Sequence, residues 1–262
     1  MALVYLVNEW VKEKKGKLSA LIFDHRIRNN SKLEAIEVKS TLKEMKINSF
    51  IINAKKHKTV KKNMAQARNN RFEGLVNFCK RKNILHLFLG HHFDDNLETY
   101  LIRKINGSNI EGLGSISFIN YFLKIQIIRP LITTNKKSII NFNKNNKINF
   151  LRDPSNEDIK FTRVKVRKFL SNMDNHNIVK SEFNNIKRKI PSYKKMIWEL
   201  FSINLFRVSS DKVTIRFDKL IKNDDLIIEK HILIILKFFS DNKYQTKSSK
   251  INFFFLGFKK IE

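Results

Sequence analysis

The sequence predicts an α/β fold, a Rossmann-like, doubly wound parallel sheet followed by a basic helical region and a small C-terminal region. Three observations predict it. Short apolar runs alternate with longer segments of helical period across short connections, the pattern of a parallel sheet wrapped by helices. Gly (7) and Pro (3) are scarce, which argues against a turn-rich all-β fold. The stretch Ile84 to Thr99, I-L-H-L-F-L-G-H-H-F-D-D-N-L-E-T, runs apolar to Gly90 and then presents histidines and carboxylates. That is where an open α/β sheet binds ligands, just past the carboxyl end of a strand.

The elements follow in order. Met1 to Val11 reads as a helix, with Leu3, Val4, Val7 and Val11 on one stripe. Leu18 to Phe23 is a short apolar strand ending at Asp24-His25-Arg26. Ser31 is placed to cap a helix to about Lys46, and Ile47 to Ile52 is the next strand. Val60 to Lys82 is a basic helix, Ile84 to Leu89 a strand, and a helix starts at Asp94. Gly107, Gly112 and Gly114 space a loop, and Tyr121 to Ile128 reads as one strand. Asn135 to Lys147 is a polar helix, and Arg152 to Asn156 a turn in which Asp153 and Asn156 suit Asx geometry. From Phe161 to about Phe206 the pattern is helical and very basic, with Pro191 opening a new segment. Val213 to Phe217 reads as a strand, Leu226 to Phe239 as an apolar helix, and Ile251 to Phe258 as a further apolar run.

The candidate chemistry lies after Gly90. On a helix Asp94 and Glu98 are i,i+4 and Asp95 and Glu98 are i,i+3, so the three acids share a face. Facing carboxylates repel unless a cation, a metal or an ammonium group, sits between them. An ordinary acidic helix start is the alternative.

Composition bounds the class. Lys+Arg number 52 against 24 Asp+Glu, a formal net charge of +28, and a polyanion such as nucleic acid is the expected partner. Biased nucleotide composition also produces a mixture rich in Lys, Asn, Ile and Phe, so Lys12 to Lys17 and Lys55 to Lys62 are not read as binding patches on their own. No apolar run approaches the ~20 residues of a membrane span, and the first ten residues lack a basic leader and cleavage site, so no membrane partner is expected. The single cysteine, Cys79, excludes an internal disulfide framework and a multi-cysteine metal site, and a reducing cytoplasm is the expected compartment.

Several stretches in order resemble one family, the tRNA(Ile)-lysidine synthetases of the PP-loop superfamily. F-D-H-R-I-R (Phe23 to Arg28) is similar to its strand-end motif, and A-R-N-N-R-F (Ala67 to Phe72) to its arginine helix. G-H-H-F-D-D-N-L-E-T (Gly90 to Thr99) is similar to its most diagnostic motif. N-G-S-N-I-E-G-L, R-P-L (Arg129 to Leu131), D-P-S-N-E-D (Asp153 to Asp158) and F-T-R-V-K-V-R (Phe161 to Arg167) follow. The resemblance covers about two-thirds of the chain and implies an adenine nucleotide alpha hydrolase-like fold. It also implies a reaction. ATP activates C2 of the wobble cytidine of tRNA(Ile) with a CAU anticodon, and the ε-amine of free L-lysine displaces AMP to form lysidine.

The resemblance implies roles as well. Asp95 and Glu98 resemble the lysine-holding acids, and Arg71 the arginine that meets ATP or its leaving phosphate. Asp24, His25, His91, His92 and Asp94 fall on the nucleotide side, Asp94 as either a metal ligand or a cap and His25 as either a ligand or a packed ring. Arg68, Arg163 and Arg167 are candidates for RNA phosphate, with a solvated helix position the alternative for Arg68. ATP with Mg²⁺ is the expected cofactor, and no metal site is assigned, since His91 and His92 lack further ligands. A homodimer is an open alternative.

The sequence departs from the family at the front. The Ser-Gly-Gly-x-Asp-Ser phosphate loop belongs after a first strand, whereas Met1-Ala2-Leu3 resembles the residues just beyond it. Triphosphate binding without that nest of amides is expected to be weak. A start assigned too late at an internal Met is the preferred account, and a remnant unable to adenylate is the other. Asn109 stands where the family has Gly, and Val164 and Lys165 where it favours Asn and Arg. The expected division is a catalytic domain over 1–172, a basic helical linker over 173–207 and a small, reduced or cut-off C-terminal region over 208–262. Alternative functions are a catalytically dead, basic tRNA-binding remnant and a related tRNA-base-modifying PP-loop enzyme.

Overall fold

The computed structural model describes residues 1–26, 30–54, 64–150, 162–208, 212–220, 222–223 and 225–239, and the side chains of all of these except 64–67, 206, 217–218, 226 and 237–239. Ile27, Arg28, the Lys55 to Lys62 run, Asp153, Asn156, Phe161 and the run Ile251 to Phe258 lie outside the described residues. The chain forms two compact units, Met1–Phe183 and Asn184–Glu262.

The first unit alternates as expected: α1 (Ala2–Glu13), β1 (Ala20–Asp24), α2 (Ser31–Glu44), β2 (Ser49–Asn53), α3 (Met64–Arg81), β3 (His86–Phe88) and α4 (Phe93–Ile105). Then come α5 (Ile110–Leu113), β4 (Ile119–Phe122), β5 (Ile125–Ile128), α6 (Lys136–Asn145), α7 (Thr162–Leu170) and the first part of α8 (Met173–Asn204). Strand β1 pairs in parallel with β2, from Ala20 opposite Ser49 to Asp24 opposite Asn53. Strand β3 pairs in parallel with β5, from His86 opposite Gln126 to Phe88 opposite Ile128.

Helix α3 spans both strand groups. Its Leu75, Val76 and Cys79 bury against Leu87 of β3 and Ile125 of β5, and Leu21 of β1 and Ile52 of β2 pack on the same cluster. Gly74 permits the approach, since a Cβ there would lie 2.8 Å from a ring carbon of Phe23. Helix α1 sets Tyr5 against Phe142 and Trp10 against Phe88, with ring centroids 5.8 and 6.3 Å apart. Met1, the N-cap of α1, and Val4 within it pack on the cluster of Ala20, Leu42 and Ile47. The parallel pairing carries the carboxyl ends of β3 and β5 to one edge.

Three expectations are corrected. Tyr121 to Ile128 is not one strand but part of a hairpin, with β4 antiparallel to β5. Leu123 (φ 48°) and Lys124 (φ 68°) make the turn, both left-handed as a tight hairpin requires. Neither is Gly or Asn, so the composition carried no turn signal. Asn30, not Ser31, is the N-cap of α2, and Ser31 is its first helical residue. Pro191 opens no new segment but lies inside α8. Its fixed φ suits a helix, at the loss of one N–H from the ladder.

The second unit continues α8 into β6 (Leu205–Val208), β7 (Val213–Ile215), α9 (Phe217–Leu220) and α10 (Asp225–Phe239), with β6 and β7 antiparallel. Ile197, Leu220 and Ile228 form its buried apolar residues. His231, also buried, sets its Nε2 3.3 Å from the Ile197 carbonyl oxygen, and burial pushes its pKa down.

Candidate active site

The chain turns at the carboxyl end of β1 through Asp24, which is 4% exposed. Its Oδ1 accepts the Arg26 amide at 2.8 Å, and its carbonyl accepts the Ala54 amide at 2.9 Å. A cavity of about 430 Å³ opens here, lined by Asp24, Arg26, Ser31, Lys32, Ile51 and Asn53. His25 packs edge-on against Phe23, with centroids 4.9 Å apart.

At the end of β3 the chain passes through Gly90, His91 and His92 into α4. The His92 amide donates to Asp95 Oδ2 at 3.0 Å, the reciprocal half of a capping box, so Asp95 sits in the first turn because a carboxylate there satisfies an orphan donor. Asp94 Oδ2 accepts the Lys136 amide at 2.7 Å and ties α4 to the start of α6. Burial opposes ionisation of Asp94, but the His92 ring, with Nδ1 3.5 Å from Oδ2, and the hydrogen bond from the Lys136 amide outweigh it and hold the carboxyl down to about 2.

His91 answers to several elements at once. Burial lowers its pKa to about 4; Asp95 pulls it up, while Arg129, Arg68 and Arg71 push it further down. Its ring is therefore neutral at pH 7. Its Nδ1 is buried and has no hydrogen-bond partner among the described residues.

Glu98 is 2% exposed and held by α7. Arg167 grips it with both prongs, Nε to Oε1 at 2.8 Å and Nη2 to Oε2 at 3.2 Å, the planar fork matching the carboxylate. Arg163 Nε lies 3.8 Å from Oε2, and its Nη2 donates to Thr99 Oγ1 at 3.0 Å. The hydrogen bond to Glu98 raises the Arg167 pKa.

Against these acids stands a cationic group. Burial lowers the Arg68 pKa, and Arg163, Arg71 and Arg129 lower it further while Asp95 opposes. Arg71 is lowered by burial and then by Arg163, again with Asp95 opposing. Both keep accessible surface in a crowded cleft. Arg129, at the end of β5, is only 9% exposed; its Nη1 donates to the Ser117 carbonyl at 3.0 Å, while its Nε has no partner among the described residues.

Of the residues singled out from the sequence, Arg68, Arg71, His91, Asp95 and Arg163 share one electrostatic neighbourhood. Glu98, Arg163 and Arg167 form one ion cluster, and Asp24 lines the cavity at β1. Sequence reasoning gave no role to Arg129, Asn96 or Arg103. Asn96, 2% exposed, accepts the Ile116 amide at 2.8 Å, and Arg103 donates to the Gly112 and Ser115 carbonyls. An arginine directly after the apolar run Ile125 to Ile128 was the one available signal, since a charge at a strand end points to the ligand edge.

Comparison with known proteins places this geometry. The PP-loop domain matches residues 1–173. The chain is 36% identical over 176 residues to the tRNA(Ile)-lysidine synthase of Orientia tsutsugamushi (strain Boryong), covering 66% of this chain and 39% of that protein. It is 34% identical over 181 residues to the tRNA(Ile)-lysidine synthase of Wolbachia pipientis wMel, covering 68% and 42%. The chain thus spans about two fifths of the length of these curated relatives. Among solved structures it is similar to the U34-tRNA thiolase NcsA from Methanococcus maripaludis with its 4Fe–4S cluster, at TM-score 0.60 and 16% identity, covering 74% of this chain and 66% of that one. That likeness bears on the fold alone, and it agrees with the α/β architecture and the parallel pairing of β1 with β2 and β3 with β5. With the domain match extending from Met1 through α7, the chain belongs to the PP-loop domain family.

Proposed function

We propose that the chain carries the catalytic site for ATP-dependent ligation of L-lysine to the wobble cytidine of tRNA(Ile), with a CAU anticodon, in the cytoplasm. The observation that carries the reading is the meeting of a cation-rich wall with carboxylates at the carboxyl edge of β3 and β5. The names of the relatives support the substrate class. Among the described residues no helix is long and apolar enough to cross a membrane.

The roles are those that the family resemblance implies. Asp24, which lines the cavity beside β1, and its neighbour His25 take the nucleoside end of ATP. Arg71, whose charge Asp95 partly offsets, meets the phosphates and stabilises charge on the departing group. Mg²⁺ would be brought by the triphosphate, whose charge it would neutralise, and Asp94 is a candidate carboxylate for it; among the described residues no group of three ligand-type side chains is present. In the first step the cytidine O2 attacks the α-phosphorus and pyrophosphate leaves. In the second the lysine amine bonds to C2 and AMP leaves. Asp95 and Glu98 hold the ammonium, Glu98 sharing its carboxylate between Arg167 and the incoming cation. Arg68, Arg163 and Arg167 contact RNA phosphate. Residues 1–172 do the chemistry, 173–207 are a basic helical linker, and 208–262 a small C-terminal region.

A cysteine-dependent thiolation is disfavoured. Cys79 is the chain's single cysteine, is buried, and has its thiol pKa pushed up by that burial. The test is incorporation of labelled lysine into a tRNA(Ile) transcript with AMP release. It is run on this chain and on a fusion carrying a Ser-Gly-Gly-x-Asp-Ser strand and loop ahead of Met1. Incorporation by the fusion is expected; none by either protein overturns the reading.

A further inference from the structure

The segment joining α5 to β4 is pinned along its length. Arg103 Nη1 holds the Gly112 carbonyl at 2.6 Å and the Ser115 carbonyl at 3.2 Å. Asn96 holds the Ile116 amide, Arg129 Nη1 the Ser117 carbonyl, and the Arg129 amide the Phe118 carbonyl at 2.9 Å. Three side chains, two of them buried, are thus spent on fixing a short loop. Yet the loop ends by holding Phe118 out at 52% exposure. A lone exposed phenylalanine needs no explanation. One presented by a rigid loop, at the ligand edge and directly bonded through its backbone to the arginine of the cation wall, does.

We propose that Phe118 is a stacking platform for an unpaired nucleobase of single-stranded RNA. Aromatic faces stack bases without regard to sequence, and adjacent guanidiniums take the backbone phosphates. Both parts are present: the ring of Phe118, the residue just before β4, and the exposed guanidinium of Arg68, whose positive field Arg129 adds to. Further along, Phe122 shares that side of the edge strand β4 by the alternation of a strand and is also exposed, while Ile119 and Tyr121 are exposed on the other face. Phe122 packs on Phe72, the neighbour of Arg71, with centroids 5.1 Å apart, so the patch reaches the arginine helix. A second copy of the chain is the other occupant such an edge strand admits. Charge decides against it, since two chains of net charge +28 repel where a polyanion is drawn in.

The inference rests on the reading that the substrate is a tRNA. Its test uses the full chain, a twelve-nucleotide single-stranded RNA containing 2-aminopurine, and the blunt duplex of the same sequence. The wild type is expected to quench 2-aminopurine on binding. Phe118→Ser should lose the quenching and bind the single strand about tenfold more weakly, with duplex binding unchanged within about twofold. Phe118→Tyr should restore both. Equal quenching and affinity in the Ser variant overturn the proposal. So does an equal loss on single strand and duplex, no single-strand binding by the wild type, or a wild-type dimer that Phe118→Ser converts to monomer in sedimentation. Lysine incorporation is scored separately: an intact Phe118→Ser enzyme with unchanged incorporation kinetics sinks the stacking role alone, while absent incorporation with stacking intact sinks the ligase reading alone.

Discussion

The two walls of the cleft are finished differently. On α4 every acid is engaged: Asp94 with the Lys136 amide, Asp95 with the His92 amide, Glu98 with Arg167. On the facing wall the cations are left in excess. Arg68 and Arg71 are crowded by Arg163 and offset by Asp95, and Arg129 keeps an unpartnered Nε. Partnering the acids holds α4, α6 and α7 together, whereas crowding the arginines costs stability and prepares the site for an anion. Substitutions on the two walls should therefore act with opposite sign on stability.

The largest effect is expected at Arg71. Arg71→Ala should lower the rate of lysine incorporation about 100- to 1,000-fold, measured by steady-state kinetics on the loop-bearing fusion. Its stability to urea should be unchanged or slightly raised, because a repulsion with Arg163 is removed. A clear stability loss would break the contrast between the walls.

Next comes Glu98. Glu98→Ala strips the partner from Arg167 and leaves Arg163 without its nearest carboxylate. Breaking a buried pair costs about 3 kcal/mol at the low end, which applies because the Arg167 side chain is 34% exposed. The urea midpoint should fall accordingly; a midpoint matching the parent chain would mean the pair contributes nothing to the fold.

The effect at Asp94 is smaller and depends on pH. Its folded pKa of about 2 lies below the model-peptide value near 3.9, so its stabilisation is present above pH 4 and lost as pH falls through 2. Asp94→Asn should cost up to about 2 kcal/mol at pH 6 and almost nothing near pH 2, read from urea unfolding at both. A pH-independent cost would assign the residue's effect to packing.

At His91 the effect is read as a titration shift. With its pKa lowered to about 4 the folded state disfavours the proton, so this residue's contribution is fully present above about pH 6.5 and declines as pH falls toward 4. Its NMR titration midpoint should lie near 4 in the free chain and rise when tripolyphosphate neutralises the arginines. An unmoved midpoint would place the anion elsewhere.

Much of this was legible in the chain. The alternation from α1 to α4 follows from local period, and the structure places those elements within a few residues of expectation. The β4–β5 hairpin was not legible, because Leu123 and Lys124 adopt left-handed backbone without Gly or Asn to announce it. Arg129 was passed over because its burial comes from the fold of the loop around Ser117, not from its neighbours in sequence.

By itself, then, the sequence determined the fold class, the basic character and the residue types at the ligand edge. These depend on apolar period, composition and spacing along one helix, all local quantities. Only the tertiary structure decided the pairings. Glu98 and Arg167 are 69 residues apart, and nothing in either segment names the other. Whether an acid is free for a substrate or already held by an arginine depends on distance and burial, because charge interactions fall off with separation and strengthen away from water. The chain must fold before either is set.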